Sequence, residues 1–552
     1  MPIRIAVACW ALLPTLVCFA ADWPQWGGRD GRNMAASERN LPSSFIPGDK
    51  RSDGQGIEIR TTHNVKWAAR LGSETYSTPV IASGMVFIGT NDFHLADPRY
   101  KPTEGGLLLC LDEATGNERW RLVVPKLISK QKSSQFDEMN LGIVAAAAVE
   151  GERAYVVTNR CEVVCLDTRG MANGNDGPFR DEGRYAVGPG NPPVTCGPGD
   201  ADIIWRYDMI SGVAVWPHDA SNCGVLLHGD LLYVCTNNGV DGEKCPFPDS
   251  PSLIALDKRS GRLVACDDEQ IGKRCFHGQW SSPSLGKVGG KTLIFFGGGD
   301  GVCYAFEALS AAPEHSVTTA HSVTAAPVVP LKKVWSFRCN PPQYLVRNGK
   351  PVDYWDGDSR KHRGNHDDGK FAGPSEIIGT PVFYKNRVYV TIGQDPRHGR
   401  GRGMLQCIDA TGHGDISASG RIWSYDKLDR SLSTVSIADG LLYVADRPGV
   451  VHCLDAATGH CYWTYDTHAE IWGSTLVADG KLYVGSKKGL WILAAGREAK
   501  VLGQVRLGSP VWSTPVAANG VLYVASQKYL WAVQNSAQPS IAGIAKKVDR
   551  RQ

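Results

Sequence analysis

Residues 471–493 read IWGSTLVADGKLYVGSKKGLWIL, and residues 511–533 read VWSTPVAANGVLYVASQKYLWAV. A phrase that returns after about forty residues marks one supersecondary unit used repeatedly, and a unit that short buries its two faces only by stacking on copies of itself. Each unit has an apolar strand, a tight turn and an LYV-type strand. A third strand ending in LD, a TG turn and a strand carrying tryptophan complete it. Earlier copies begin at YSTPVIASGMVFIGT (76–90), VAAAAVEGERAYVV (144–157), CGVLLHGDLLYVCT (223–236), WSSPSLGKVGGKTLIFFGG (280–298), IGTPVFYKNRVYVTI (378–392) and STVSIADGLLYVAD (433–446). With the two quoted first, that makes eight.

Alternating apolar, β-branched and aromatic residues in KLYVGS and VLYVAS predict strands, and ADG, ANG and ASG supply the residues that tight hairpins require. The 62 glycines and 32 prolines suit an all-β chain rich in turns. Eight units of up to four strands predict an all-β, eight-bladed β-propeller, whose closed ring protects the sheet edges. The eighth copy stops at YLWAV without its tryptophan strand, while NVKWAARLG (64–72) is such a strand lying before the first copy. The sequence therefore predicts a propeller over 64–535, with 64–72 as the closing strand of the last blade. An N-terminal extension over 22–63 and a tail over 536–552 flank it.

The first residues, MPIR followed by an apolar run to Val17 and small residues at Ala20 and Ala21, predict a signal peptide over 1–21. The expected location is periplasmic or extracellular, with no transmembrane segment. A net charge of +3 from interspersed signs gives no basic face for nucleic acid. Of 16 cysteines, Cys110, Cys165, Cys407 and Cys453 occupy one strand position before LD or ID and read as core residues. Cys235 with Cys245, and Cys266 with Cys275, bracket loops that a disulfide in an exported protein would staple.

LDEATGNERW and LDAATGHCYW resemble the docking repeat of quinoprotein dehydrogenases. DWPQWGGRDGRN, WSSPS and the last three copies extend that resemblance over most of the chain. The sequence is similar to the pyrroloquinoline quinone (PQQ)-like propeller repeat family, which includes BamB-type and quinoprotein alcohol dehydrogenase-like propellers. The resemblance implies that Asp112, Thr115, Gly116 and Trp120, like Asp455, Thr458, Gly459 and Trp463, are structural. For an enzyme of this family it also implies PQQ with calcium and commonly a pair of adjacent cysteines. That pair is absent from the sequence.

Antiparallel strand order puts first-to-second and third-to-fourth turns on one face, and blade-to-blade crossings on the other. The crossings are long (124–141, 208–222, 266–279 and 339–376), so one face gathers the loops that usually carry binding. At that end of the innermost strands stand Tyr76, Trp280, Trp472 and Trp512, rings suited to stacking on a planar or sugar ring or to packing the propeller neck. His277, three residues before Trp280, is the candidate general base. MANGNDGPFRDEG (171–183) misses the register of a calcium loop. His362 and His366 sit in a Gly- and Asp-rich stretch read as a solvated loop, so no metal site is assigned. Three functions follow: binding or scaffolding of an envelope protein or small ligand on the loop-rich face, PQQ-dependent oxidation of an alcohol or sugar, and carbohydrate binding.

Overall fold

The computed structural model describes residues 21–133, 136–311, 328–357, 359–361, 373–393 and 402–535. The segment read as a signal peptide, except Ala21, lies outside the described residues, as do His362, His366 and the tail from 536. Eight sheets form the blades of a β-propeller, each antiparallel through its four principal strands, which follow sequence order in all but the last blade. The innermost strands are Val80–Ala82, Ala148–Glu150, Leu226–His228, Ser284–Val288, Val382–Tyr384, Ser436–Ala438, Thr475–Ala478 and Val516–Ala518. The outer strand of the last blade is Val65–Arg70, which pairs antiparallel with Tyr529–Val533. Ala68 stands opposite Trp531 there, so both ends of the propeller sequence share one sheet. Short fifth strands, Val329–Pro330 and Gly414–Asp415, add in parallel to blades 3 and 4.

The tryptophan of an outer strand reaches the next blade. Trp67, Trp120, Trp205, Trp335, Trp423 and Trp463 donate their indole N–H to the carbonyls of Glu113, Thr168, Lys258, Ala410, Ala456 and Gly496, over 2.8–3.3 Å. The TG turn is shaped to receive the ring. Asp112 Oδ1 accepts the Thr115 N–H and hydroxyl at 2.9 Å each, and Asp455 holds Thr458 in the same way. The glycine that follows takes a positive φ, +74° at Gly116 and +75° at Gly459. A Cβ on Gly116 would lie 2.5 Å from the Trp67 ring, and one on Gly459 2.7 Å from the Trp423 ring. Only glycine combines that backbone conformation with that closeness.

All 14 described cysteines are free, which corrects the expectation of disulfide staples. Cys235 ends a buried strand, its Sγ directed at the Gln279 carbonyl and its N–H at Cys223 Sγ. The Cys275 sulfur packs against Gly299, where a Cβ would lie 2.6 Å from it.

The N-terminal extension forms a floor beneath the ring. Trp23 exchanges two backbone hydrogen bonds with Ile81 in blade 1, and Pro24 accepts from Val149 in blade 2. Asp30 and Gly31 accept from Leu285 and Phe383 in blades 4 and 5. Asn33 grips Ile437 in blade 6 through both ends of its amide, and Met34 and Ala36 bond Val477 in blade 7. Arg32 reaches the Val225 carbonyl of blade 3, and Asp22 accepts from Asn519 of blade 8. Innermost strands leave unpaired N–H groups along the channel. This segment supplies acceptors for six of the eight at the same strand position, Ile81, Val149, Leu285, Phe383, Ile437 and Val477.

Candidate functional site

Above the floor lies a cavity of about 230 Å³, open toward the crossings. Every blade contributes two residues spaced i and i+2 just before its innermost strand. The outer ring is Tyr76, Val144, Asn222, Trp280, Ile378, Leu432, Trp472 and Trp512, and the inner ring is Thr78, Ala146, Gly224, Ser282, Thr380, Thr434, Ser474 and Thr514. The two-residue period of an extended chain sends both side chains of each blade to the axis. Trp26 of the floor closes the bottom, its indole N–H donating to Thr380 Oγ1 at 3.0 Å.

All four aromatic residues singled out from the sequence line this one cavity. Trp472 lies 5.8 Å from Trp512 and 6.0 Å from Tyr76 between ring centroids, which makes a continuous aromatic arc across blades 7, 8 and 1. Trp280 stands half a turn of the ring away, on blade 4, and is fixed by its N–H to the Ala220 carbonyl at 3.0 Å. These rings both pack the neck and present faces to the cavity.

The inner ring is a belt of hydroxyls that the sequence reading missed. Thr380 N–H donates to Thr434 Oγ1, Thr434 N–H to Ser474 Oγ, Ser474 N–H to Thr514 Oγ1 and Thr514 N–H to Thr78 Oγ1. Gly224 N–H donates likewise to Ser282 Oγ at 2.8 Å. Five of these hydroxyls thereby tie one blade to the next as acceptors, and the sixth, Thr380 Oγ1, accepts from Trp26 of the floor. The O–H of each is spared, because a hydroxyl offers one donor besides two lone pairs. Among the described residues none of these six hydroxyls donates a hydrogen bond.

Glu138, Met139 and Leu141 from one crossing and Asp219 and Ala220 from the next line the mouth. Beside Glu138, burial pushes the Asp137 carboxyl up to about 7. His277 is 2 % exposed and lies behind Trp280, 5.4 Å away between ring centroids, so it faces other side chains before the cavity. Those side chains are His218 and Asp219, from a different crossing. The His218 and His277 Nε2 atoms are 3.1 Å apart, and each is 3.5 Å from an Asp219 oxygen. Neither partner had a signal in the sequence, since the crossings share no periodicity. The segment around MANGNDG brings Asp176 to Asp167 and Asp202, a carboxylate group on the opposite face.

PQQ with calcium does not fit this lining. Calcium takes six to eight oxygens, carboxylates prominent among them, and below the mouth the polar side chains are hydroxyls and the Asn222 amide. The quinone's three carboxylates would pass Glu138 and Asp219 and meet no lysine or arginine among the described lining residues. Burying such an anion without a cation or a dense set of donors is strongly unfavourable.

A family profile described as outer membrane protein assembly factor BamB matches residues 53–170 and 401–501. No curated protein sequence matches significantly. Among solved structures, a europium-containing methanol dehydrogenase is similar at 10% identity and TM-score 0.53, over 92% of this chain and 89% of its own. The quinohemoprotein alcohol dehydrogenase ADHIIG from Pseudomonas putida HK5 is similar at 11% and 0.51, over 94% and 81%. BamB from Moraxella catarrhalis is similar at 13% and 0.48, over 85% and 97%. At these identities the likeness is one of fold.

Proposed function

We propose that this chain, a propeller of the PQQ-like repeat family, is a binding protein whose ligand is a small, uncharged, oxygen-rich ring such as a sugar. The ligand enters from the loop-rich face. The observation that carries this reading is the blind central cavity itself, with an aromatic arc on one side, Trp280 on the other and six hydroxyls with spare O–H donors between. Aromatic faces stack on the C–H faces of a sugar ring, while hydroxyl donors meet its oxygens. A volume of about 230 Å³ lies just under the range of pockets for drug-sized ligands, which suits a single ring.

Tryptophan fluorescence tests the reading directly, because three indoles wall the site. Titration with neutral mono- and disaccharides, chosen from a glycan array, is expected to give a saturable change that Trp512→Ala abolishes. No saccharide response, or a response that persists in Trp512→Ala, overturns it. A saturable response to PQQ with calcium chloride would favour oxidoreductase chemistry instead. Stoichiometric capture of an envelope protein that the saccharides do not compete would favour a docking role.

A further inference from the structure

We infer that His218, Asp219 and His277 form a binding site for a divalent transition metal of the zinc type at the mouth of the central cavity. The two imidazoles are 3 % and 2 % exposed, and they come from successive crossings. His218 Nδ1–H donates to the Val240 carbonyl at 2.6 Å. A carbonyl only accepts, so the proton sits on Nδ1 and the Nε2 lone pair faces inward, the tautomer that binds metal. That lone pair meets His277 Nε2 at 3.1 Å.

A proton shared between the two rings leaves the carboxylate unaccounted for. Asp219 oxygens stand 3.5 Å from each Nε2, too far for a good hydrogen bond. The same distances suit co-ligands, since bonds of about 2.0–2.1 Å to a tetrahedral ion place ligand atoms roughly 3.3 Å apart. Two imidazole nitrogens and one carboxylate select zinc, cobalt, nickel or copper over calcium or magnesium. The backbone holds the group in place: Val240 N–H bonds the His277 carbonyl, and Asp137 N–H bonds that of Asp219. Asp219 adopts φ +54°, a conformation asparagine and aspartate tolerate best among side-chain-bearing residues. Asp219 also lines the cavity, so the ion sits where a ligand enters.

The test uses the full chain stripped with a chelator and titrated with zinc chloride by calorimetry, then with cobalt chloride by visible absorption. One ion per chain is expected, with the intense cobalt bands of a low-coordinate site. His277→Gln and Asp219→Asn are each expected to weaken binding at least tenfold. Asp219, partly exposed, carries the test if the histidine variant loses its circular dichroism signature. Absence of binding by the wild-type chain overturns the inference. So does binding that both variants leave within twofold, or binding lost instead in His362→Ala/His366→Ala. No sugar is present in these titrations, so their failure is distinguishable from failure of the ligand reading.

Discussion

Arg32 is the keystone of the floor, and its removal should release the N-terminal segment from the ring. The residue has no exposed surface, and burial lowers its pKa to about 10. Its Nε donates to the Pro283 carbonyl at 3.0 Å and Nη2 to the Val225 carbonyl at 2.9 Å, while Nη1 holds Gln25 Oε1 at 3.0 Å and the Trp26 carbonyl. Four bonds from a charged donor are worth roughly 2 kcal/mol each. Holding the cation in a buried site costs roughly 3 kcal/mol against that. Arg32→Ala should therefore weaken docking of residues 22–38 by roughly 5 kcal/mol, or between three and four decades in the local opening constant. Hydrogen exchange reads this at Met34, Ala36, Leu285 and Phe383, whose N–H groups bond across the floor. Lysine keeps the charge but donates from one atom and cannot span blades 3 and 4, so Arg32→Lys should fall between. Wild-type exchange at those four amides in Arg32→Ala would refute the claim that this guanidinium holds the floor.

Three further perturbations address separate links. Trp335→Ala removes a fully buried ring that bonds Ala410 in the next blade, and chemical denaturation should show a loss of about 3–5 kcal/mol; under 1 kcal/mol would mean that blade docking does not depend on it. Thr434→Val keeps the shape but strips the Thr380 N–H of its acceptor, which should cost about 1–3 kcal/mol in the same assay, whereas an unchanged midpoint would deny the belt a structural role. Burial raises the Asp267 carboxyl to about 6 despite the backbone N–H groups of Ser252, Leu253 and Glu269. A folded pKa raised above the unfolded value of 3.8 gives stability that is complete below that pH and is lost as pH climbs to 6, a span of roughly 3 kcal/mol. Asp267→Asn should flatten that slope between pH 4 and 6, and parallel wild-type and variant slopes would contradict it.

The eight blades and their docking tryptophans were legible because their contacts recur at the repeat period. Each Trp–Gly pair is one local motif meeting the next copy, so LDEATGNERW announces its own partner. The aromatic wall was legible for the same reason: Tyr76, Trp280, Trp472 and Trp512 occupy one position of the repeat. The hydroxyl belt occupies another, two residues on, but Ser and Thr are common enough in loops to carry no signal until the blades close. Arg32 and His218 lie further from reach. Arg32 bonds Val225 and Pro283 across nearly 200 residues or more, and His218 meets His277 across two crossings of unrelated sequence. Cysteine spacing misled because Cys235 and Cys275 are spent on packing against neighbouring crossings and strands, where a small apolar side chain suffices.

The belt is not complete, and its gap argues for how floor and cavity are coupled. Hydroxyls line the inner ring on blades 4 to 8 and blade 1, while Ala146 and Gly224 stand in blades 2 and 3. Gly224 leaves the room that Trp26 fills: a Cβ there would lie 3.0 Å from Trp26 Cβ and 3.3 Å from Ser282 Oγ. Both contacts are tighter than ordinary packing, and Trp26 is pinned behind by its bond to Thr380 and by Arg32 on its carbonyl. Gly224→Ala should therefore push the floor rather than the wall, at about 1–3 kcal/mol for overpacking. It should raise exchange at Leu285 and Phe383 while sparing the outer-strand amides of blades 6 and 7. Trp26 fluorescence should shift as its ring moves against the cavity. Unchanged exchange with an unchanged spectrum would mean that Trp26 rests in the channel without being wedged, and that the cavity's depth is not set by this glycine.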